Sequence, residues 1–334
     1  MQNQASRHHT FDSEHVGPID APIVVGVKSV TRIANDINRY ELSAIAPAVL
    51  PHAAAGCHIV VILNEKVRRS YSLIAADPST YVIAVKQEIN GRGGSRLVFE
   101  SLNVGQRVRI SPPRNNFSLN EEADHSVLVA GGIGITPIFA MATRLRQLGK
   151  SWRLYYAVRT RSDAALVSDL ETLGNTKFHF DDECHGLLLD IPALVASAPP
   201  ASHFYCCGPE PMLAAFSAAT DAITATRVHI ERFGAPDPDN ANRDGDYFIK
   251  LGTEGPRLLV SKGETILDVL RRAGVDVPAS CEQGVCGTCE TRVIEGTPDH
   301  RDSVLTAEER ASNKTMMVCC SGSKGSELIL DLQQ

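Results

Sequence analysis

The sequence has no apolar run long enough to cross a bilayer. Its most apolar stretch, Val127 to Ala142, falls short of the roughly 20 residues a spanning helix needs, and Gly131, Gly132, Gly134 and Pro137 interrupt it. It also has no lysine or arginine block. With 33 Lys+Arg against 39 Asp+Glu, a net charge of -6 gives no basic stripe for nucleic acid. Met1 to Asp20 lacks the basic segment and apolar core of a secretory signal, and with His8, His9, Asp12 and Glu14 it reads as a polar tail, residues 1–20. No internal repeat is visible. These absences leave a small molecule or another protein as the partner, with no nucleic acid and no membrane, and the nine cysteines fit a reducing cytoplasm.

Cysteine, by contrast, is plentiful. Nine cysteines in 334 residues do not suit a disulfide scaffold, a class that is short and secreted. Five of them, Cys281, Cys286, Cys289, Cys319 and Cys320, fall in the last quarter. The length itself implies two or three domains.

Three patterns divide the chain. From Ile23 to Val108, short strands rich in β-branched residues, such as His58 to Leu63 and Thr80 to Val85, alternate with turns and predict an antiparallel barrel or sandwich over 21–122. Residues 123–234 change to strand and helix in alternation, which implies a parallel sheet with crossover helices in an α/β domain. The polar stretch 235–246 reads as a linker. The remainder, 247–334, is a small α+β unit in which Thr265 to Gly274 carries apolar residues at helical spacing and ends on a glycine stop.

The strongest chemical signal lies in that last unit. Cys281, Cys286 and Cys289, followed by Cys319 after 29 intervening residues, form the C-x4-C-x2-C…C ligand set of a plant-type 2Fe-2S cluster. Gly284 and Gly287 let the loop backbone approach and aim N–H groups at the sulfurs. A zinc site normally pairs two C-x2-C knuckles, and only Cys286 and Cys289 form one. Cys320 adjoins Cys319 and is the alternative fourth ligand; register and spacing favour Cys319.

Two further constellations look built for phosphate. After the strand Val127 to Ala130 come Gly131, Gly132, Gly134 and Thr136, a glycine turn opening a helix, with Thr136 as its N-cap and Pro137 at its first position. A second turn, Cys207-Gly208-Pro209, follows the strand Phe204-Tyr205 and opens another helix. One such turn alone is as often structural as functional. Two at the carboxyl ends of parallel strands define one crevice, with at least one of Cys206 and Cys207 facing the ligand. In the barrel segment, Arg69 and Tyr71 share a strand face, a guanidinium for phosphate and a ring for a flat heterocycle, and Ser72 follows. An ordinary exposed strand is the competing reading. Downstream, Gly91, Arg92, Gly93, Gly94 and Ser95 precede the helical run Arg96 to Ser101 and form a second anion site, or else a hairpin turn. Two phosphate sites in separate segments imply two nucleotides.

With these parts in this order the chain resembles the phthalate dioxygenase reductase family, which includes vanillate demethylase reductases, over about Pro22 to Leu332. The resemblance implies an antiparallel β-barrel flavin domain, a parallel-sheet nicotinamide domain and a β-grasp ferredoxin domain. It implies FMN held with Arg69 on the phosphate, Tyr71 against the ring, Ser72 near its reactive nitrogen and the 91–95 loop completing the phosphate site. Gly131 to Thr136 and Cys207-Gly208-Pro209 then take NADH, Phe233 packs by the flavin, and Cys281, Cys286, Cys289 and Cys319 hold the cluster. The implied activity is an NADH-dependent reductase whose partner is a terminal Rieske-type oxygenase acting on an aromatic. A haem monooxygenase, or a non-catalytic iron–sulfur carrier, are the rival readings. One departure concerns the nucleotide: Arg159 and Arg161 lie near the expected adenine ribose and favour the extra phosphate of NADPH, while Asp163 opposes it and supports NADH.

Overall fold

The computed structural model describes residues 22–45, 49–64, 67–88, 94–233, 246–279, 282, 284 and 287–332. Seven strands make the first unit: β1 (Ile23–Ala34), β2 (Ile37–Ala44), β3 (Cys57–Ile62), β4 (Arg68–Ala76), β5 (Thr80–Lys86), β6 (Arg107–Ile110) and β7 (Arg114–Asn115). They run in the order β4-β5-β2-β1-β6-β3-β7, all antiparallel, and a β3–β4 pairing closes six of them into a barrel. Alternation explains its core. Val25, Val27, Tyr40, Leu42, Ile59, Val61, Leu73, Tyr81 and Ile83 point inward, and helix α1 (Gly94–Ser101) lays Val98 against them.

The second unit is a five-stranded parallel sheet: β8 (His125–Gly131), β9 (Ser151–Val158), β10 (Thr176–Phe180), β11 (His203–Cys207) and β12 (Val228–Glu231), in the order β10-β9-β8-β11-β12. Its helices are α2 (Ile135–Gln147), α3 (Val167–Leu173), α4 (Ile191–Ala196) and α5 (Glu210–Ala219). Near-continuous apolar strands such as His125–Gly131, almost wholly buried, are what a sheet covered on both faces requires. The barrel and this sheet share one core. Ile37, Ile74, Val82, Ala84 and Phe117 of the first pack with Leu128, Ile135, Ile138, Met141 and Tyr156 of the second.

The third unit mixes β13 (Tyr247–Leu251), β14 (Arg257–Val260), β15 (Glu290–Glu295), β16 (Pro298–Asp299), β17 (Thr315–Met317), β18 (Gly322–Ser323) and β19 (Glu327–Leu330) with α6 (Ile266–Arg272) and α7 (Ala307–Ser312). Its sheet order is β14-β13-β19-β15-β17, with β13 and β19 parallel. Both helices begin at reciprocal caps, Thr265 with Asp268 and Thr306 with Glu309, which satisfy backbone donors a helix start leaves free. Gly274, at φ +77°, takes the left-handed turn just past the end of α6. No helix among the described residues is long and apolar enough to cross a membrane.

Candidate functional site

Strands β8 and β11 stand where the order of the parallel sheet reverses, so the loops leaving their carboxyl ends open on the crevice in which such sheets bind ligands. The two glycine turns meet there and interlock. A Cβ on Gly134 would lie 2.2 Å from the Cys207 carbonyl oxygen, one on Gly131 2.5 Å from the Pro209 Cδ, and one on Gly208 2.7 Å from the Met212 Sδ. Gly132 differs: its φ is +54° and no atom lies within 4 Å of its would-be Cβ, so its open side is free for a ligand to approach the backbone.

The helix start differs from the sequence expectation. Thr136 does not cap α2, and Pro137 is not its first residue. Gly132–Gly134 wind into a 3-10 turn that leads straight into the helix at Ile135, with Gly134 at the cap position. Thr136 is therefore inside the first turn, buried, and its Oγ1 donates to the Ile133 carbonyl at 3.1 Å.

Strand alternation separates the two adjacent cysteines. Cys206 packs with Val127, Phe204 and Phe216 on one face, and Cys207 joins the core shared with the barrel on the other. Glu231 pairs in register with Cys207, and the Cys207 thiol donates to its Oε2 at 3.9 Å. Burial raises the pKa of both groups; the Glu231 carboxyl is pushed up to about 8. The sequence reading missed Glu231. Its signal was the pairing of two neighbouring parallel strand ends, which needs the sheet order to be visible. Phe233, two residues on, is exposed.

At the end of β9 the geometry revises the argument over the ribose. The Asp163 carboxylate accepts from Thr160 Oγ1 at 2.7 Å and from Asn35 Nδ2 at 3.0 Å, so it is tied to the barrel's β1–β2 turn rather than free to meet a nucleotide. Arg161 lies over the Phe180 ring at 4.4 Å and pairs with Glu183 at 3.2 Å.

On the barrel, β4 carries chemistry on both faces. Arg69 and Tyr71 lie on the face of Leu73; Tyr71 packs against the barrel core, and burial raises its pKa. The Arg69 guanidinium lies against the start of α1, where a Cβ on Gly94 would come within 2.0 Å of its Nε. Ser95 follows, its Oγ accepting from the Glu88 N–H at 2.9 Å. A cation, a glycine with no side chain to intervene and free helix N–H groups thus converge on one spot, a fitting place for a phosphate. Ser72 points the other way, buried beside His58, with which it pairs in register. Gly91, Arg92 and Gly93 lie outside the described residues.

In the third unit, β15 and β17 bring distant cysteines together. Glu290 pairs with Met317, which sets Cys289, just before β15, beside Cys319, just after β17; both are buried. The two thiols contact each other, and the Gly284 N–H is aimed at Cys319; the neighbouring Cys289 is the largest cause of its raised pKa. Gly284 is held at φ +67°, with the Cys320 Sγ 2.5 Å from its would-be Cβ and its carbonyl accepting from the Ser303 N–H at 2.8 Å. Cys281 and Cys286 lie outside the described residues.

Residues 250–323 match the 2Fe-2S iron–sulfur cluster binding domain. The chain is 48% identical to a tetrachlorobenzoquinone reductase of Sphingobium chlorophenolicum, over 92% of this chain and 97% of that protein. It is 39% identical to the phthalate dioxygenase reductase of Burkholderia cepacia, over 92% and 96%. A solved phthalate dioxygenase reductase, described as a modular structure for electron transfer from pyridine nucleotides to [2Fe-2S], superposes with a TM-score of 0.73 at 38% identity, covering 93% of this chain and 98% of that one. The chain belongs to the phthalate dioxygenase reductase family.

As a member of that family it is an oxidoreductase, and its described residues fit the groups such a reductase uses. Adjacent buried thiols under a directed N–H suit a cluster of soft iron and sulfide, since N–H bonds to the sulfurs stabilise the reduced state. The Arg69–Gly94 spot suits a flavin's phosphate. Replacing Arg69 by Ala should therefore weaken flavin retention about tenfold or more, as loss of a charge-assisted phosphate contact does, leaving cluster absorbance intact. Flavin released on gel filtration checks it.

Glu231 carries a second expectation. Burial pushes its carboxyl up to about 8 from the ordinary 4.5, so the fold favours the protonated form. The stability this contributes is complete below about pH 4.5 and fades as pH rises through about 8. Glu231→Gln should remove that dependence. Between pH 5 and 9 the wild type should lose roughly 2 kcal/mol more than the variant, the figure allowing for solvent at a half-buried group. Thermal melts at several pH values read it.

Proposed function

We propose that this chain is the reductase component of an aromatic oxygenase or demethylase system of the Rieske type, moving electrons from NADH to the oxygenase by way of FMN and a 2Fe-2S cluster. When bound, the flavin accepts a hydride and the cluster passes single electrons, so that a two-electron donor can serve a one-electron acceptor. The protein's own part is placement. Gly131, Gly132, Gly134, Thr136, Cys207, Gly208 and Pro209 would form the NADH crevice; Arg69, Tyr71, Gly94 and Ser95, with Gly91 to Gly93, the flavin site, Ser72 standing on the other face of β4; Phe233 would lie by the ring; and Cys281, Cys286, Cys289 and Cys319 would hold the cluster. The domains proposed are 21–122, 123–234 and 247–334, with 235–246 as linker, in a cytoplasmic protein.

One observation carries this reading: the barrel shares a core with the sheet that bears the interlocked turns, while its β4 also contacts the segment leading into the cysteine loop. NADH is the nucleotide proposed on the family likeness, not on Asp163. The test is turnover of a purified Rieske oxygenase on an aromatic carboxylate with NADH and this chain alone. Substrate oxidation that stops when the chain is omitted supports the proposal, and no coupling to any such oxygenase overturns it.

A second reading has a specific basis in the likeness to a quinone reductase. A halogenated quinone would then be the acceptor, and NADH-driven quinone reduction should persist after Cys319→Ser, whereas oxygenase coupling should not.

A further inference from the structure

The face of β4 opposite Arg69 and Tyr71 is turned toward the third unit. Arg68 stands on it, and its Nη1 donates to the Ala279 carbonyl at 3.4 Å, two residues before Cys281. His58 on β3 pairs in register with Ser72 on one side and with Arg114 of β7 on the other, so Ser72, His58 and Arg114 form one row across three strands. The Arg114 Nη1 donates to Thr288 Oγ1 at 3.5 Å, one residue before Cys289. The two arginines thus reach the cysteine loop at both ends. Between them, His58 is 5% exposed and its Nε2 has no hydrogen-bond partner.

We propose that Arg68 and Arg114 are positioning residues for transfer between the two resident redox groups: they clamp the cysteine loop to the barrel face that backs the flavin site. This rests on the reductase reading above. The sequence places Arg68 next to Arg69, and strand alternation gives the neighbours opposite duties. Arg69 addresses the flavin's phosphate, while Arg68 fixes where the loop carrying the cluster ligands sits. A single rigid strand therefore sets the separation. Guanidinium groups suit this task because each has several donors in a fixed fork. Both contacts are long for N–H···O bonds, so the clamp has little reserve. Electron transfer weakens steeply with separation, so losing the clamp should slow that transfer while leaving hydride delivery alone.

The experiment is stopped-flow mixing of the holoprotein with NADH under anaerobic conditions, in wild type and in the Arg68→Ala/Arg114→Ala double variant. Flavin bleaching and the freeze-quenched paramagnetic signal of the reduced cluster are followed separately. The double variant should bleach its flavin at the wild-type rate and reduce its cluster about tenfold or more slowly, because the transfer depends steeply on how the two groups are placed. The Arg68→Lys/Arg114→Lys variant, which keeps charge and a donor, should recover much of the rate. A purely structural role would lower cofactor content or melting temperature without separating the two steps. If the alanine pair loses a cofactor on purification, the single variant Arg114→Gln carries the same expectation. Cluster reduction at the wild-type rate in a fully loaded variant overturns the clamp. Failure of NADH to bleach the wild-type flavin would instead overturn the reductase reading itself.

Discussion

Cys319→Ser should yield a protein that keeps its flavin and its reaction with NADH but loses the iron–sulfur absorbance, whereas Cys320→Ser should keep both chromophores. The neighbours differ in surroundings. Cys319 is buried against Cys289 and under the Gly284 N–H, while the half-buried Cys320 Sγ, which touches Cys319, is also bonded to the Met317 carbonyl at 3.7 Å and the Ser321 hydroxyl at 3.8 Å. A serine in a four-thiolate set presents a harder, weaker ligand to iron, and cluster content in the Cys319 variant should fall about tenfold or more. Iron and sulfide assays with visible spectra decide it. Equal loss in both variants would mean that the two residues share the role.

Gly134→Ala should be the most damaging small substitution in the nucleotide half. The added methyl would sit 2.2 Å from the Cys207 carbonyl oxygen and 2.9 Å from the Gly208 nitrogen, both backbone atoms that cannot swing aside as a flexible side chain would. The turns must separate, and with them the two walls of the crevice. Displacing a reacting ring on the order of 1 Å costs roughly 100-fold in rate, so kcat/KM for NADH should fall by about that factor. Flavin and cluster content should stay at wild-type levels, because neither site touches this contact. Steady-state kinetics with an artificial one-electron acceptor measures the loss.

Much of this architecture was legible because it is written in local patterns. The β-branched runs of β3 and β5, the cysteine spacing and the glycine stop at Gly274 each reflect a constraint acting over a few residues. The shape of the crevice also followed, since two glycine turns after parallel strands leave little choice where the sheet reverses. Contacts between residues far apart in sequence were not legible. Glu231 is not legible because only the β11–β12 register sets it against Cys207. Nothing in the neighbourhood of Asp163 announces Asn35, more than a hundred residues earlier, as its partner, so the sequence alone leaves it facing the nucleotide. The start of α2 escapes the sequence for a different reason. Thr136 and Pro137 are good helix-start residues, but the 3-10 turn over Gly132–Gly134 had already begun the winding. The contrast between Arg68 and Arg69 also depends on what packs against each face of β4, which alternation alone does not name.

The central claim is that one chain links a two-electron donor to a one-electron outlet. Anaerobic titration of the purified protein with NADH, followed by visible absorbance and electron paramagnetic resonance in the same samples, tests it most directly. The expected result is loss of the flavin bands together with the signal of a reduced 2Fe-2S cluster, both complete without any added mediator. A flavin that bleaches while the cluster stays oxidised, or a protein that NADH leaves unchanged, would contradict the account.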